Sequence, residues 1–282
     1  MSCSAFGFWR AAHNAPYHFP MDEDIWFQSL HEDIDSDGRK LFDHLTIRYS
    51  RTAPSKNGEI NGMIVYGETA FGFDHTGEIS NRVHHKIIRD ICFPENAPEI
   101  GQKLLAHAIS DFGTDERIHA FFHYFGMSTC ARHGKLHESA SHVHELLLKN
   151  GFIVEHENVY YAKYLTSENA SAKPEISLLW KEESPGHCRE FTASMDDREV
   201  GWGQIHFLPQ GDIAYLRWVY IEDKLQHQGI GTRTMKALFC SLYAMGIRRF
   251  DTDTALSNIP AQHYYEKCGF SNEGITRSYF TA

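Results

Sequence analysis

Two glycines two residues apart, Gly229 and Gly231, separate a strand-forming run from a helix-forming one, and this junction constrains the fold more than any other stretch. Upstream, residues 213–221 (Ile-Ala-Tyr-Leu-Arg-Trp-Val-Tyr-Ile) are β-branched and aromatic, which predicts a strand. Downstream, Met235, Leu238, Phe239 and Leu242 recur at spacings of 3, 1 and 3, one face of a helix. Glycine between the two lets the backbone adopt positive φ and come close to a ligand. The first amides of a helix have no carbonyl of their own to donate to and favour an anion, most often a phosphate. The stretch Gln226-His227-Gln228-Gly229-Ile230-Gly231-Thr232 therefore reads as a phosphate cradle.

The residues that follow exclude two common phosphate loops. A nucleoside-triphosphate loop needs Gly-Lys-Ser/Thr, and here Gly231 is followed by Thr232-Arg233. The dinucleotide fingerprint needs a third glycine, and residue 234 is threonine. What remains resembles Gln/Arg-x-x-Gly-x-Gly/Ala, the pyrophosphate loop of the GNAT superfamily of acyl-CoA-dependent N-acyltransferases. A later stretch extends the resemblance. Asn258-Ile259-Pro260-Ala261-Gln262-His263-Tyr264-Tyr265-Glu266-Lys267-Cys268-Gly269-Phe270 is similar to the family's second motif, an asparagine and a short helix ending Tyr-Glu-Lys-x-Gly-Phe. Gly231 and Gly269 stand 38 positions apart, in the family's order.

The resemblance implies an α/β fold of the α+β type, a mixed sheet flanked by helices, and transfer of an acetyl group from acetyl-CoA to a primary amine of a small molecule or peptide. By family position, Tyr265 is the general acid, four residues before Gly269. Backbone groups of Val219 and Ile221 would pair with the pantetheine amides as an added strand pairs with a sheet edge. Amides from His227 to Thr232 (His227, Gln228, Gly229, Ile230, Gly231, Thr232), headed by Gln226, would take the pyrophosphate. Asn258 either contacts the donor or caps the helix it precedes. Tyr264 competes with Tyr265, but adjacent helical positions point about 100° apart. The base is not readable: where some members carry a glutamate this chain has Tyr215, and Glu222, Asp251 and Asp253 stand as carboxylates able to act through water. The same resemblance admits a non-catalytic CoA-binding regulatory protein and a tandem acyltransferase of the mycothiol synthase kind.

The N-terminal half repeats the order of elements. Residues 1–40 are aromatic and then acidic, with Asp33, Asp35 and Asp37 before Gly38. Residue 44 is histidine where a calcium loop needs glutamate, so this stretch reads as a solvated loop. Short β-prone runs follow at residues 45–49, 62–66, 70–73 and 86–93, with Asn57-Gly58 and Asn61-Gly62 as turn signals. A helix with Leu104, Leu105, Ala108 and Ile109 on one face comes next, then a strand over residues 118–125, a helix over 139–150 and Gly151-Phe152. Aligning Gly101 with Gly231, and Gly151-Phe152 with Gly269-Phe270, gives two tandem GNAT-like domains, residues 1–168 and 169–282. The boundary falls in a polar linker, residues 166–175. The second domain continues with strands at residues 176–180, 188–194, 199–208, 212–221, 248–254 and 275–280.

The loops of the two copies differ. Asn96, Glu99 and Gly101 stand where the second copy has Gln226, Gly229 and Gly231, with Pro98 between them. A glutamate repels a pyrophosphate and a lost glycine closes off near approach. That leaves the first copy as scaffold, homodimer surface or part of the amine site. Its additional segment, residues 126–138, gathers Cys130, Arg132, His133, Lys135, His137 and Glu138 and reads either as a tolerated surface insertion or as a contribution to the amine site.

Composition narrows the partners. A net charge of −10 argues against nonspecific nucleic-acid binding and suits a cationic amine. There is no run of 18 apolar residues and no signal-like N-terminus, so no membrane is expected. Six cysteines without a Cys-x-x-Cys pair fit a reducing, cytoplasmic setting. Nineteen histidines lack the spacing of a metal site, so no metal is expected.

Overall fold

The computed structural model describes residues 4–282 apart from residues 14, 16, 32–33, 35–37, 52–57, 75, 77, 114–116, 128–133, 172–173, 184–186 and 209. The elements are α1 (Ala5–Ala12), α2 (Glu23–His31), β1 (Phe42–Arg51), β2 (Ile60–Thr69), β3 (Gly72–Phe73), β4 (Ile79–Ser80), β5 (Lys86–Cys92), α3 (Pro98–Phe112), β6 (Ile118–Ala120), β7 (Leu136–His137), α4 (Ser141–Lys149) and β8 (Phe152–Tyr164). They continue with α5 (Ser167–Ser171), β9 (Ser177–Trp180), β10 (Cys188–Met195), β11 (Arg198–Phe207), β12 (Ile213–Ile221), α6 (Ile230–Ala244), β13 (Arg249–Ala255), α7 (Ile259–Lys267) and β14 (Ser271–Thr281). A 3-10 turn, Asp223–Leu225, precedes α6.

The chain divides into two compact units. The first comprises Met1–Asp33, Lys40–Glu157 and Ile275–Ala282; the second comprises Ile34–Arg39 and Asn158–Gly274. In the first, the strand order is β1-β2-β5-β6-β14-β8. Neighbours β1/β2, β2/β5 and β6/β14 are antiparallel and β5/β6 is parallel. Alternate residues of β2 face opposite sides, as a pleated strand requires. Ile64 and Tyr66 pack with Leu104 and Leu105 of α3 and Leu147 of α4, whereas Met63 and Val65 pack with Trp9 of α1 and Trp26 and Leu30 of α2.

In the second unit the order is β8-β13-β12-β11-β10-β9, antiparallel throughout except for the parallel pair β12/β13. Ala214, Leu216 and Phe250 of the sheet pack with Met235, Leu238 and Leu242 of α6, and with Tyr265 and Phe270. The periodic apolar face read from the sequence of α6 is thus the face it buries.

The expected boundary between residues 168 and 169 is not where the units divide. β8 begins in the first unit and ends in the second, where residues 158–164 pair with β13 in register from Asn158↔Ala255 to Tyr164↔Arg249. The end of the chain returns the exchange: within the first unit Tyr279 and Phe280 of β14 pair with Ala120 and His119 of β6. Each unit is completed by the last strand of the other copy.

Other expectations also change. Residues 1–40, for which no element was expected, contain two helices, with Trp9 and Leu30 buried in the first unit's core. The carboxylates of the calcium-like stretch, Asp33, Asp35 and Asp37, lie outside the described residues. Part of the linker is α5, and its composition did not announce a helix. The strand expected over residues 118–125 stops at Ala120, because Phe121 takes φ +54° and turns the chain. Asn61-Gly62 is not a turn but lies inside β2: a Cβ on Gly62 would come within 2.6 Å of Ile100 Cγ2, so the glycine is there to let α3 approach. Among the described residues no helix is long and apolar enough to cross a membrane.

Candidate active site of the second unit

The loop between β12 and α6 is held by its own side chains. The Gln226 amide donates to the Ile221 carbonyl at 2.9 Å and to Asp223 at 3.0 Å, and the Gln228 amide donates to the Lys224 carbonyl at 2.8 Å. Arg233 donates to the Gln228 carbonyl at 3.2 Å and pairs with Glu175 at 3.1 Å. These ties use carbonyls and leave amides. No described residue accepts a hydrogen bond from the amides of residues 227–232. Two loop residues are left-handed, His227 at φ +60° and Gly229 at φ +78°, and Gly229 is the N-cap of α6. Such alternation turns successive amides toward one point and makes an anion-binding nest. No described atom lies within 4 Å of where a Gly229 Cβ would be, so the nest is open. The Ile230 side chain is buried in the core, which leaves its backbone as the part that faces the nest.

Beside the nest, β12 and β13 separate. Their parallel pairing runs only from Ile213↔Arg249 to Tyr215↔Asp251, so among the described residues no strand pairs with that edge of β12 beyond Tyr215. Val219 and Ile221 lie on this stretch. The Ile221 carbonyl is already taken by Gln226, which gives Gln226 a bracing role. Where the strands part, Thr252 Oγ1 donates to the Leu216 carbonyl at 3.2 Å, and Thr252 lies near Tyr265. Tyr265 is buried, packed against Tyr161 and Phe270. Burial, the largest influence, raises its phenol above the ordinary value; the neighbouring Thr252 opposes the rise and the charge of Asp253 adds to it. The hydroxyl is therefore a protonated donor throughout the neutral range.

The two adjacent tyrosines separate as helical geometry requires. Tyr264 donates to the Gly231 carbonyl at 2.8 Å and ties α7 to α6. Asn258 accepts from the Ala261 amide at 3.3 Å, so it caps α7. The three carboxylates also separate. Asp251 is fully buried, bonded to Arg249 at 2.8 Å and to the Tyr160 hydroxyl at 2.6 Å, and so is structural. Glu222 lies past the end of β12. Asp253 is partly exposed, accepts from the Tyr215 hydroxyl at 2.7 Å across the parting strands, and is felt by Tyr265. Tyr215, read as an absent base, is thus the partner of a carboxylate two places beyond the last paired residue of β13. No local spacing could have joined residues 38 apart. Among the described residues no three His, Cys, Asp or Glu are grouped to hold a metal.

Residues 153–270 match the acetyltransferase (GNAT) family. That match spans less than half of the chain and takes in the nest, the parting strands and Tyr265. A tandem GNAT protein from the clavulanic acid biosynthesis pathway superposes with a TM-score of 0.56 at 11% identity, covering 100% of this chain and 96% of that one. The GCN5-related glucosamine N-acetyltransferase region of a fungal multi-domain GH3 β-N-acetylglucosaminidase gives 0.59 at 11% identity, over 97% of this chain and 36% of that one. A GNAT-family protein from Novosphingobium aromaticivorans gives 0.36 at 14% identity, over 46% of this chain and 66% of that one. The chain thus spans about a third of the fungal enzyme's length and just under two thirds of the bacterial protein's. At these identities the first two likenesses concern the fold alone.

The first unit builds the corresponding corner differently. Matching the buried faces of α3 (Leu104, Leu105, Ala108) and α6 (Thr234, Met235, Leu238) puts Glu99 on Gly229. On that alignment α3 begins earlier, at Pro98, and the nest is wound into the helix. Pro98 has no amide hydrogen, the Ala97 and Ile100 amides donate to Pro94 and Ala97 carbonyls, and Glu99 adds negative charge. A Cβ on Gly101 would come within 2.4 Å of the Phe93 ring, so this glycine serves packing. In the additional segment, Cys130, Arg132 and His133 lie outside the described residues. Lys135 and His137 are buried in the first unit, and β7 pairs with β14 there.

Proposed function

We propose that the second unit is an N-acetyltransferase that takes acetyl-CoA as donor and a primary amine, of a small molecule or peptide, as acceptor. The observation that carries this reading is the conjunction of an open nest of amides with a protonated tyrosine at the parting of β12 and β13. The nest fits a pyrophosphate in charge and in donors, and the unpaired edge of β12 fits a chain of amides. Bound there, acetyl-CoA supplies a thioester carbonyl open to attack by an amine. Tyr265 holds a proton on its hydroxyl oxygen for the departing sulfur. Asp253, oriented by Tyr215, draws the cationic amine and accepts its proton through water, which frees the nitrogen lone pair. Four described cysteines are free, in keeping with a reducing compartment such as the cytoplasm.

Calorimetry with acetyl-CoA tests the donor site. One molecule is expected per chain, and Gly229→Glu is expected to weaken binding more than tenfold, because it places a carboxylate in the nest at a left-handed position. Two equivalent sites, or unchanged affinity in the variant, would refute the assignment. The acceptor side is tested by Asp253→Asn. The expected result is a 10- to 100-fold rise in KM for the amine, roughly the worth of one charge-assisted hydrogen bond, with acetyl-CoA affinity unchanged. The deficit should shrink toward about pH 10, where an ordinary alkylamine deprotonates unaided. A deficit that is the same at every pH would remove Asp253 from amine recognition.

A further inference from the structure

In the first unit a small hairpin, β3 and β4, is tied to the residue that precedes β5. Its strand pairs are Gly72↔Ser80 and Phe73↔Ile79. The stem that leads into it is fixed by bonds that do not titrate. The Thr69 amide donates to the His85 carbonyl at 3.1 Å, and the His85 amide donates to Thr69 Oγ1 at 2.8 Å. That hydroxyl donates in turn to the Phe71 carbonyl at 2.5 Å. Beyond Phe71 the tie changes in kind, because the Phe73 amide donates to the imidazole of His85, at Nε2, over 3.2 Å. Gly72 permits this approach: a Cβ there would come within 2.8 Å of His85 Nε2 and 2.9 Å of the Val83 carbonyl oxygen. The Phe73 ring is stacked on His85 with centroids 6.2 Å apart, and it also packs against Phe122 and Phe125.

A backbone amide donates and does not accept, so Nε2 must be the bare nitrogen of a neutral ring whose proton sits on Nδ1. A proton added at Nε2 sets one N–H against another and breaks the bond. We propose that His85 is a proton-operated latch, which holds the β3–β4 hairpin to the first unit while neutral and frees it as the pH falls. The surroundings favour the neutral ring. Burial, the largest influence, pulls its pKa down to about 4, and the neighbouring His119 and His84 act in the same direction. His119 of β6 stands edge-on to His85 with centroids 5.3 Å apart. Glu155 of β8 opposes the fall, but it lies against His119, 3.7 Å from Nδ1. The rings of Phe122 and Phe125, at 5.9 and 6.0 Å, add no charge. Freed from these neighbours, the imidazole returns to its ordinary value of about 6.5. The docked hairpin therefore binds the proton less readily than the released one. Docking is at full strength above about pH 6.5 and is lost as the pH falls toward about 4. Release takes Phe73 from Phe122 and Phe125 and uncovers an aromatic patch. Phe73 packs in a different cluster from the one that α3 and α4 cover, so the rest of the unit stays folded.

The test is hydrogen exchange at the Phe73 amide of the full chain, read by NMR at about pH 7 and about pH 5 and corrected for the intrinsic exchange rate. The opening equilibrium is expected to rise roughly tenfold or more between the two, allowing for the partial exposure of the ring. The amides of Ile64 and Val65 in β2 should change less than about twofold over the same interval. His85→Gln keeps an acceptor at every pH, since its carboxamide oxygen can take the Phe73 amide, and should abolish the dependence. If that variant does not fold, proton NMR titration of the His85 ring decides: a midpoint well below about 6.5 is expected, and an ordinary one overturns the latch. Equal opening at both pH values, an equal rise in β2, or undiminished pH dependence in His85→Gln would each overturn it as well. No acetyl-CoA enters the experiment, so its outcome is independent of the reaction assigned to the second unit.

Discussion

Tyr265→Phe is expected to lower kcat by roughly 10²–10⁴-fold, the usual worth of a positioned general acid, while leaving acetyl-CoA affinity essentially unchanged. The substitution removes one oxygen and keeps the ring, so the contacts with Tyr161 and Phe270 persist and the fold should hold. Thr252 still donates to the Leu216 carbonyl. The loss should therefore fall on turnover alone, which single-turnover kinetics separates from binding. The sign of the pH dependence follows from burial. The phenol is raised above its ordinary value of about 10, so the acid form persists and Tyr265 imposes no fall in kcat below that pH. Full turnover in the variant would mean that another group or water protonates the sulfur.

Residues 169–282 alone are expected not to fold. This fragment begins where composition places the linker, yet it lacks the part of β8 that covers β13. Val159, Tyr160 and Tyr161 are each at most 2% exposed. Burying three such side chains is worth roughly 5–9 kcal/mol at about 1.5–3 kcal/mol each, against a total stability of about 5–15 kcal/mol for a whole domain. Tyr160 also donates to the buried Asp251, and leaving that carboxylate short of a donor costs about another 1–3 kcal/mol. In the same fragment β14 has neither β6 nor β7 to pair with. Proton spectra of the fragment should show poor dispersion, and co-expression with residues 1–168 should restore a folded complex. A well-dispersed spectrum from residues 169–282 on their own would contradict the exchange of strands.

What could be read from the sequence was what local chemistry determines. The strand-to-helix junction was legible because Gly229 and Gly231 stand where a strand pattern meets a helical one, and the structure places a left-handed cap at Gly229. Gly151 and Gly269 were legible as matching closures, and both take positive φ, +82° and +83°. Distant partners hid the rest. Thirteen residues of β8 read as the end of a domain because nothing in them says that the second half pairs with β13. Phe121 was taken for a strand residue because only tertiary packing holds a phenylalanine in the left-handed region. The pairing of Asp253 with Tyr215, and the bracing role of Gln226, depend on where strands diverge and loops close, and residue types do not record that.

The reciprocal strands also bear on how such a chain can change over generations. Once β8 finished the second copy's sheet and β14 the first copy's, neither could be deleted without unfolding its sibling. The loop before α3, with Pro98 and Glu99, and the strand β8 are separate stretches, so a change in one need not touch the other. Losing either strand should therefore be felt in the half of the sequence that does not encode it, which ties the two halves together as one inheritable unit.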